Sequence, residues 1–367
     1  MFKRFRSLML ILIALFGILL LVSCDTDDKS AGTSDTAEDT ETSAELEDME
    51  PITLSYADVY GTSHQAHVQI TQGWAEAVEE ATNGLVQVEV YPGESLLDSD
   101  DIYEGVISGL ADVGHSVVGY NMGRFPLLGA LYLGGIPYES SVVSSYVARD
   151  IVEEFAPAEL DDTEIMFVYG LGPGDILSNK PVKTLEDLQG MEIRVNGEQV
   201  RAFELLGATP IELPMPNTYE SLSRGVVEAA VGPIEVLEGW NLADVVDYIT
   251  KVPFVYNNVH YITMNKEVWE SLPDEIQEEI EAINEQMFEE TAAPLIDSIN
   301  ESALEYIEAE FDHEIFELTE EEQEKWLGEL EPLKEDYIKK LDDEGLPGEE
   351  IINRIEELAE KYNDEFH

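Results

Sequence analysis

The stretch Pro181–Thr250, PVKTLEDLQGMEIRVNGEQVRAFELLGATPIELPMPNTYESLSRGVVEAAVGPIEVLEGWNLADVVDYIT, carries alternating helix and strand signals along its whole length. Thr184 is placed to cap a short helix, Thr184–Leu188, with Glu186 and Asp187 in the first turn, where acids favour the positive end of the helix dipole. Gly190 ends that helix, and MEIRV (191–195) is a strand. Gln199–Leu206 is a helix stopped by Gly207, and IELP is another short strand. Tyr219–Ser223 is a helix ended by Gly225, after which VVEAAVGP is a buried strand closing in Gly232-Pro233. Strands alternating with short helices predict an α/β unit.

A second such unit precedes it. ITLSYADVY, near Ile52, is strand-like. His64–Thr82 has helical periodicity, with Val68, Ile70, Trp74, Ala77 and Val78 as the buried stripe and Asn83-Gly84 as the stop. LVQVEVYP alternates strictly, Asp100–Leu110 is a short helix, and ADVGHSVV is a third strand, so the sheet reads as largely parallel. EIMFVYG opens the later unit, and FVYNNVHYITM returns as a long strand. Asp274–Glu310 reads as one mostly continuous helix with Ile276, Ile280, Ile283, Met287 and Phe288 on its apolar face and Pro294 as a kink. Amphipathic, acid-rich helices follow from Glu320. Two α/β units that the chain crosses between more than once predict a two-lobed, periplasmic-binding-protein-like fold with a cleft. Ligands in such folds sit at the carboxyl ends of strands, and hinge closure buries them. The expected divisions are residues 51–172 for lobe I with a return segment at about 252–290, residues 173–251 for lobe II with part of the C-terminal helices, and residues 274–367 for the long helix and those that follow.

The N-terminus reads as an export signal, residues 1–23. Lys3, Arg4 and Arg6 precede an apolar run of roughly 15 residues, Leu8–Val22, short for a bilayer span. Leu21-Val22-Ser23-Cys24 resembles the lipobox of bacterial lipoproteins, which makes Cys24 the lipidation site; a short uncleaved anchor is the competing reading. Cys24 is the only cysteine. Residues 24–50 are rich in Asp, Glu, Thr and Ser and read as a disordered tether.

The chain carries 79 acidic and 19 basic residues, a formal charge of −60. Cleavage before Cys24 removes three bases and no acids, giving about −63. Such a charge argues against nucleic acid as a partner and suits a surface solvated in high salt, as in a halophile. An anionic ligand would have to find local positive charge, so each buried Arg or Lys is informative. No Gly-x-Ser-x-Gly, HExxH or phosphate-binding glycine loop appears, and no EF-hand-like loop. No enzyme activity, cofactor or metal is therefore expected.

The ordered elements Leu188–Val195 (Leu-x-Gly-x-x-Ile-Arg-Val), Leu206–Pro210 (Leu-Gly-Ala-x-Pro), Met215-Pro216 and Tyr219–Glu228 (Tyr-x-x-Leu-x-x-Gly-Val-Val-Glu) resemble the DctP-type solute-binding proteins of tripartite ATP-independent periplasmic (TRAP) transporters. Weaker resemblance covers TNGLVQVEVYPG, Gly109–Asp112 and MNKEVWESLP. The resemblance implies an extracytoplasmic receptor that captures a small organic acid by hinge closure and hands it to the membrane subunits of a permease, with the lipid on Cys24 holding it to the outer face of the membrane. It also implies that the long helix bridges both lobes, and that Arg194 binds the ligand carboxylate. The planar guanidinium fork suits two parallel charge-assisted hydrogen bonds; outside this motif, Arg194 could equally be a structural partner of one of the many acids. The chain departs from the sialic-acid-binding members at Gly232, where they carry asparagine, and near Gly174, where they carry a second arginine. A smaller or less polar ligand with aromatic or aliphatic walls is implied.

Strand-end positions supply the other candidates: Tyr60, Ser116, Tyr120, Met215, Pro233, Asn257 and Asn258, with Tyr256 beside them. Tyr60 and Tyr120 could be ordinary surface or core residues, and Asn257-Asn258 a turn or bulge. His64 reads better as a helix cap than as a ligand contact. His115 alternates away from Ser116, so at most one of them faces the cleft, and Trp240 reads as helix core. Two further functions stay open: a receptor for a zwitterionic compatible solute such as ectoine, and an acidic structural or adhesive surface lipoprotein.

Overall fold

A computed structural model describes residues 49–121 and 123–367. The export signal, Cys24 and the tether up to residue 48 lie outside the described residues. In chain order the strands are β1 (Ile52–Asp58), β2 (Val86–Tyr91), β3 (Val113–Val117), β4 (Thr163–Gly170), β5 (Asp175–Ser178), β6 (Glu192–Val195), β7 (Thr209–Glu212), β8 (Ala229–Gly232), β9 (Tyr248–Lys251), β10 (Val259–Asn265) and β11 (Glu314–Glu317). They form two sheets, one of order β2-β1-β3-β10-β4 and one of order β11-β9-β5-β8-β6-β7.

Both sheets are largely parallel, as expected from the sequence, and each holds one reversed strand. β10 runs antiparallel to β3 and β4, and β5 runs antiparallel to β8 and β9. The cause is the double crossing. β4 ends where the chain leaves the first lobe and β10 starts where it comes back, so β10 must run the other way. In the second lobe β5 starts at the crossing and β9 ends there, so β5 is the reversed strand. The remaining pairs in both sheets are parallel.

The first helix also departs from its expected phase. Its opening is a π-turn, His67–Thr71, continued by an α-helix over Gln72–Ala81. A π-turn holds extra chain per turn and rotates the faces. His67 therefore turns inward and Val68 is left exposed, Ala77 is half-buried, and Ala75 takes its place beside Trp74 and Val78 in the core.

The predicted long helix is a helix Asp274–Met287, a π-turn Phe288–Ala292, and a helix Ala293–Glu310 with Pro294 in its first turn. Its first half packs on lobe I, where the Trp74 indole N–H donates to Asn284 Oδ1 at 2.7 Å. Its second half places Ala303 and Ile307 in the apolar cluster of Leu177, Val236 and Ile249 of lobe II. Asp297, between them, accepts from the Ser141 N–H of lobe I at 2.8 Å. The helix Glu320–Asp343 also touches both lobes: Glu322 accepts from Leu185 N–H at 2.9 Å, and the Tyr337 hydroxyl donates to Pro126 O at 2.9 Å. No described helix is long and apolar enough to cross a membrane.

Candidate functional site

The carboxyl ends of β1, β3, β6 and β8 and the crossing segment before β10 converge on a small cavity. Lobe I contributes Val59, Tyr60, Val117, Tyr120, Leu171 and His260; lobe II contributes Arg194, Met215, Pro233, Glu235, Val236 and Trp240; Tyr256 and Asn258 come from the crossing segment. Two hydrogen bonds join the lobes around it. Met215 N–H of lobe II donates to the Tyr120 hydroxyl of lobe I at 2.9 Å, and His64 Nε2 of lobe I meets Glu235 Oε2 of lobe II at 3.1 Å.

Arg194 is the next-to-last residue of β6, between Ile211 of β7 and Ala230 of β8. Its neighbours Ile193 and Val195 point into the core, so the period of two sends the guanidinium to the other face. Arg194 is 1% exposed. Its Nε donates to Leu213 O at 2.8 Å, whereas its Nη2 is buried without a partner. Among the described residues no carboxylate lies within 4.0 Å of it. A buried cation with a free donor and no counter-ion is costly in isolation. Burial pushes the Tyr120 hydroxyl up, and the neighbouring Arg194 charge offsets only part of that rise.

The lobe I wall is aromatic. Tyr60 stacks on His64 (centroids 4.1 Å, 27°) and on His260 (5.5 Å, 14°), with Trp240 of lobe II 5.7 Å away. Behind this wall lies a buried polar relay. Asp58 contacts His67 Nδ1 at 2.7 Å and His115 Nδ1 at 3.1 Å; His115 Nε2 meets the Tyr169 hydroxyl at 3.0 Å, which lies 3.3 Å from His260 Nδ1. Burial alone would raise the Asp58 carboxyl. The charge and hydrogen bonds of His115, with hydrogen bonds from His67 and the Tyr60 N–H, instead hold it well below the usual carboxylate range. Burial, reinforced by His115, holds His260 well below the usual imidazole range, so it is neutral.

Of the residues singled out from the sequence, Arg194, Met215, Tyr60, Tyr120, Pro233 and Asn258 line the cavity, as does Tyr256. Two do not. Ser116 has the wrong parity on β3; its hydroxyl donates to Ser99 O at 2.8 Å, and Val117 takes the cavity position. Asn257 spends its amide on the lobe crossing, accepting from Ser144 Oγ (2.6 Å) and Gly172 N–H (3.1 Å) and donating to Leu131 O (2.9 Å). Asn257 and Asn258 also precede the return strand instead of lying on it. Trp240, read from the sequence as helix core, lines the cavity at the end of the short helix Val236–Gly239. Glu235 and His260 were not anticipated. His260 belongs to a set of four histidines, with His64, His67 and His115, gathered on one wall from a chain that has six. Glu235 gives no local signal among so many acids. At Gly174 a Cβ would fall 2.4 Å from the Tyr256 ring, so that ring fills the space a longer side chain there would need.

Residues 56–340 match the family model for bacterial extracellular solute-binding proteins, family 7 (DctP). A solute-binding protein of Roseobacter denitrificans is 25% identical over 209 residues, 56% of this chain and 63% of that protein, so the chain spans a little under two thirds of its length. The C4-dicarboxylate-binding protein DctB of Bacillus subtilis is 27% identical over 78% of this chain and 80% of its own. Among solved structures, a marine-metagenome TRAP solute-binding protein specific for aromatic acid ligands, in complex with 3-hydroxybenzoate, is 27% identical with a TM-score of 0.80, covering 86% of this chain and 99% of that one. Family and structural relatives alike are substrate-binding receptors, not enzymes, and the protein described here belongs to bacterial extracellular solute-binding protein family 7, the DctP-type receptors of TRAP transporters.

Proposed function

We propose that this protein is the extracytoplasmic receptor of a TRAP transporter for a small monocarboxylic acid with a ring or other flat apolar body. The observation that carries the reading is Arg194, buried with an unpartnered Nη2 and, among the described residues, no carboxylate within 4.0 Å. A ligand carboxylate would supply both the counter-charge and the missing acceptor, in a site where water is excluded and charge-assisted hydrogen bonds are strong. Tyr60, His64, His260 and Trp240 pack into one aromatic cluster, and Tyr60, His260 and Trp240 line the cavity, which favours a flat apolar body. The solved relative that holds 3-hydroxybenzoate supports the same class.

A thermal-shift screen of the mature protein against mono- and dicarboxylic acids tests this, since a ligand held only by the folded state raises the melting temperature once its concentration exceeds Kd. Aromatic and other ring monocarboxylates are expected to stabilise the wild type, and Arg194→Gln to weaken them by at least about 100-fold. A strong hit that survives Arg194→Gln sinks the assignment.

The same reading takes Cys24 as the lipid anchor and the acidic segment after it as a tether between that anchor and the folded body, in a cell adapted to salt. Wild type is expected to take up label from a fatty-acid precursor and to lose the segment before Cys24, and Cys24→Ser to do neither. A wild type that takes up no label and keeps that segment would point to an uncleaved anchor.

A further inference from the structure

Among the described residues that line the cavity, one carries a carboxylate, Glu235. Glu235 is 3% exposed and lines the same space, yet no ion pair joins it to Arg194. Its one side-chain partner is His64, through Nε2 at 3.1 Å. The His64 tautomer is fixed by the other ring nitrogen. Nδ1 accepts a hydrogen bond from Ala66 N–H at 3.1 Å, so it keeps its lone pair and the ring proton sits on Nε2. His64 is thus a neutral donor to Glu235 Oε2. Glu235 has acceptor capacity left on its other oxygen.

The arrangement is built, not incidental. A Cβ at Gly239 would fall 2.7 Å from His64 Nε2 and 2.8 Å from Glu235 Oε2, so glycine there lets the pair close. Asn300 Oδ1, on the bridging helix, accepts from the Glu235 N–H at 2.8 Å and fixes the backbone.

Taking the carboxylate at Arg194 as given by the function proposed above, we infer that Glu235 is a specificity-determining residue that accepts a hydrogen bond from a second group of the ligand. That group must be a donor, a hydroxyl or an N–H. A second carboxylate is refused, because it would be buried against Glu235 with no donor between them. The ligand class is therefore a monocarboxylate with a hydroxyl or nitrogen donor away from the acid, and simple dicarboxylates are excluded.

Glu235→Gln reverses the chemistry at nearly constant shape. His64 Nε2–H still demands an acceptor, so the amide oxygen turns to His64 and the NH₂ group takes the cavity side. Calorimetric titrations of wild type and Glu235→Gln would use benzoate, the three hydroxybenzoates, isophthalate, succinate and ectoine. In the wild type, at least one donor-bearing acid should bind at least about tenfold more tightly than its donor-free parent, and the dicarboxylates should bind more weakly than either. In Glu235→Gln the donor preference should fall about tenfold or more and dicarboxylate binding should rise. Near-ultraviolet circular dichroism and a cooperative melting transition report that the variant is folded. Should the variant fail to fold, the wild-type series alone decides. Benzoate binding with neither a donor preference nor a penalty for dicarboxylates overturns the role of Glu235 and leaves Arg194 standing. Failure of every carboxylic acid to bind the wild type overturns the Arg194 reading, and this inference with it.

Discussion

His260 stands between the cavity and the buried relay that ends at Asp58. One face of its ring stacks on Tyr60, and its Nδ1 lies 3.3 Å from the Tyr169 hydroxyl and 3.4 Å from His115 Nε2. Burial, with His115 adding to it, depresses its protonation. The sign of the consequence follows from linkage: the unfolded chain takes up a proton near the ordinary histidine value, about pH 6.5, which the folded ring refuses. Stability from this group is thus complete at higher pH and is lost as the pH falls through that value. Asp58 behaves in the same sense lower down, its contribution being lost as the pH falls below the ordinary carboxylate range. Half-buried and buried carboxylates whose protonation is favoured, such as Asp175 and Glu159, act in the opposite sense, so the test is a difference. Between about pH 8 and pH 5.5, wild type should lose stability relative to His260→Gln, at a slope approaching about 1.4 kcal/mol per pH unit below pH 6.5. Urea unfolding at matched salt measures it; parallel curves for the two proteins would mean that His260 is not held neutral.

The bridging helix does two jobs that a regular helix would do poorly. Proline inside a helix removes a hydrogen bond and clashes with the preceding turn. Here the widened turn Phe288–Ala292 precedes Pro294, which falls in the first turn of the following helical segment. The first half is pinned to lobe I by the Trp74–Asn284 hydrogen bond, buried at both ends. Asn284→Ala should cost about 1–3 kcal/mol, mostly for leaving the indole N–H without an acceptor, while Gln286→Ala on the exposed face should stay within about 0.5 kcal/mol. Denaturant midpoints at constant slope decide it; equal midpoints would remove the bond from any structural role. What was readable in the sequence at this scale was what is locally encoded. The Thr184 cap, the glycine stops at Gly207 and Gly225, and the alternation in β2 and β6 declare themselves within a few residues. The reversed strands β5 and β10, and β11 beside β9, depend on where the chain crosses between lobes, which no window of sequence contains. The site divides in the same way. Arg194, Tyr60 and Tyr120 sit at strand ends and could be read as such, whereas Ser116 was lost to strand parity, Asn257 to its crossing bonds, and Glu235 to the acids around it in composition.

At the scale of the whole molecule, a formal charge of −60 surrounds a receptor whose site carries a buried cation. The two act over different distances. The surface field reaches roughly 10 Å at 0.1 M salt and shrinks to about 3 Å at 1 M, whereas the Arg194 contact is made inside the closed cavity, where salt screens little. An anionic ligand must therefore cross a repulsive field to reach an attractive point. Most proteins that bind charged ligands gain on-rate from steering that salt destroys; here the sign inverts. Raising salt from about 0.05 to about 1 M should increase the association rate of a monocarboxylate several-fold and leave its dissociation rate nearly constant. Trp240 lines the cavity, while Trp74, Trp269 and Trp326 are buried in the body, so stopped-flow tryptophan emission can follow the step. A ligand of zero net charge should show a flat association rate over the same range. An association rate for an anion that falls with salt would mean that local positive potential around Arg194 extends out of the cleft and that the acidic surface plays no part in ligand capture.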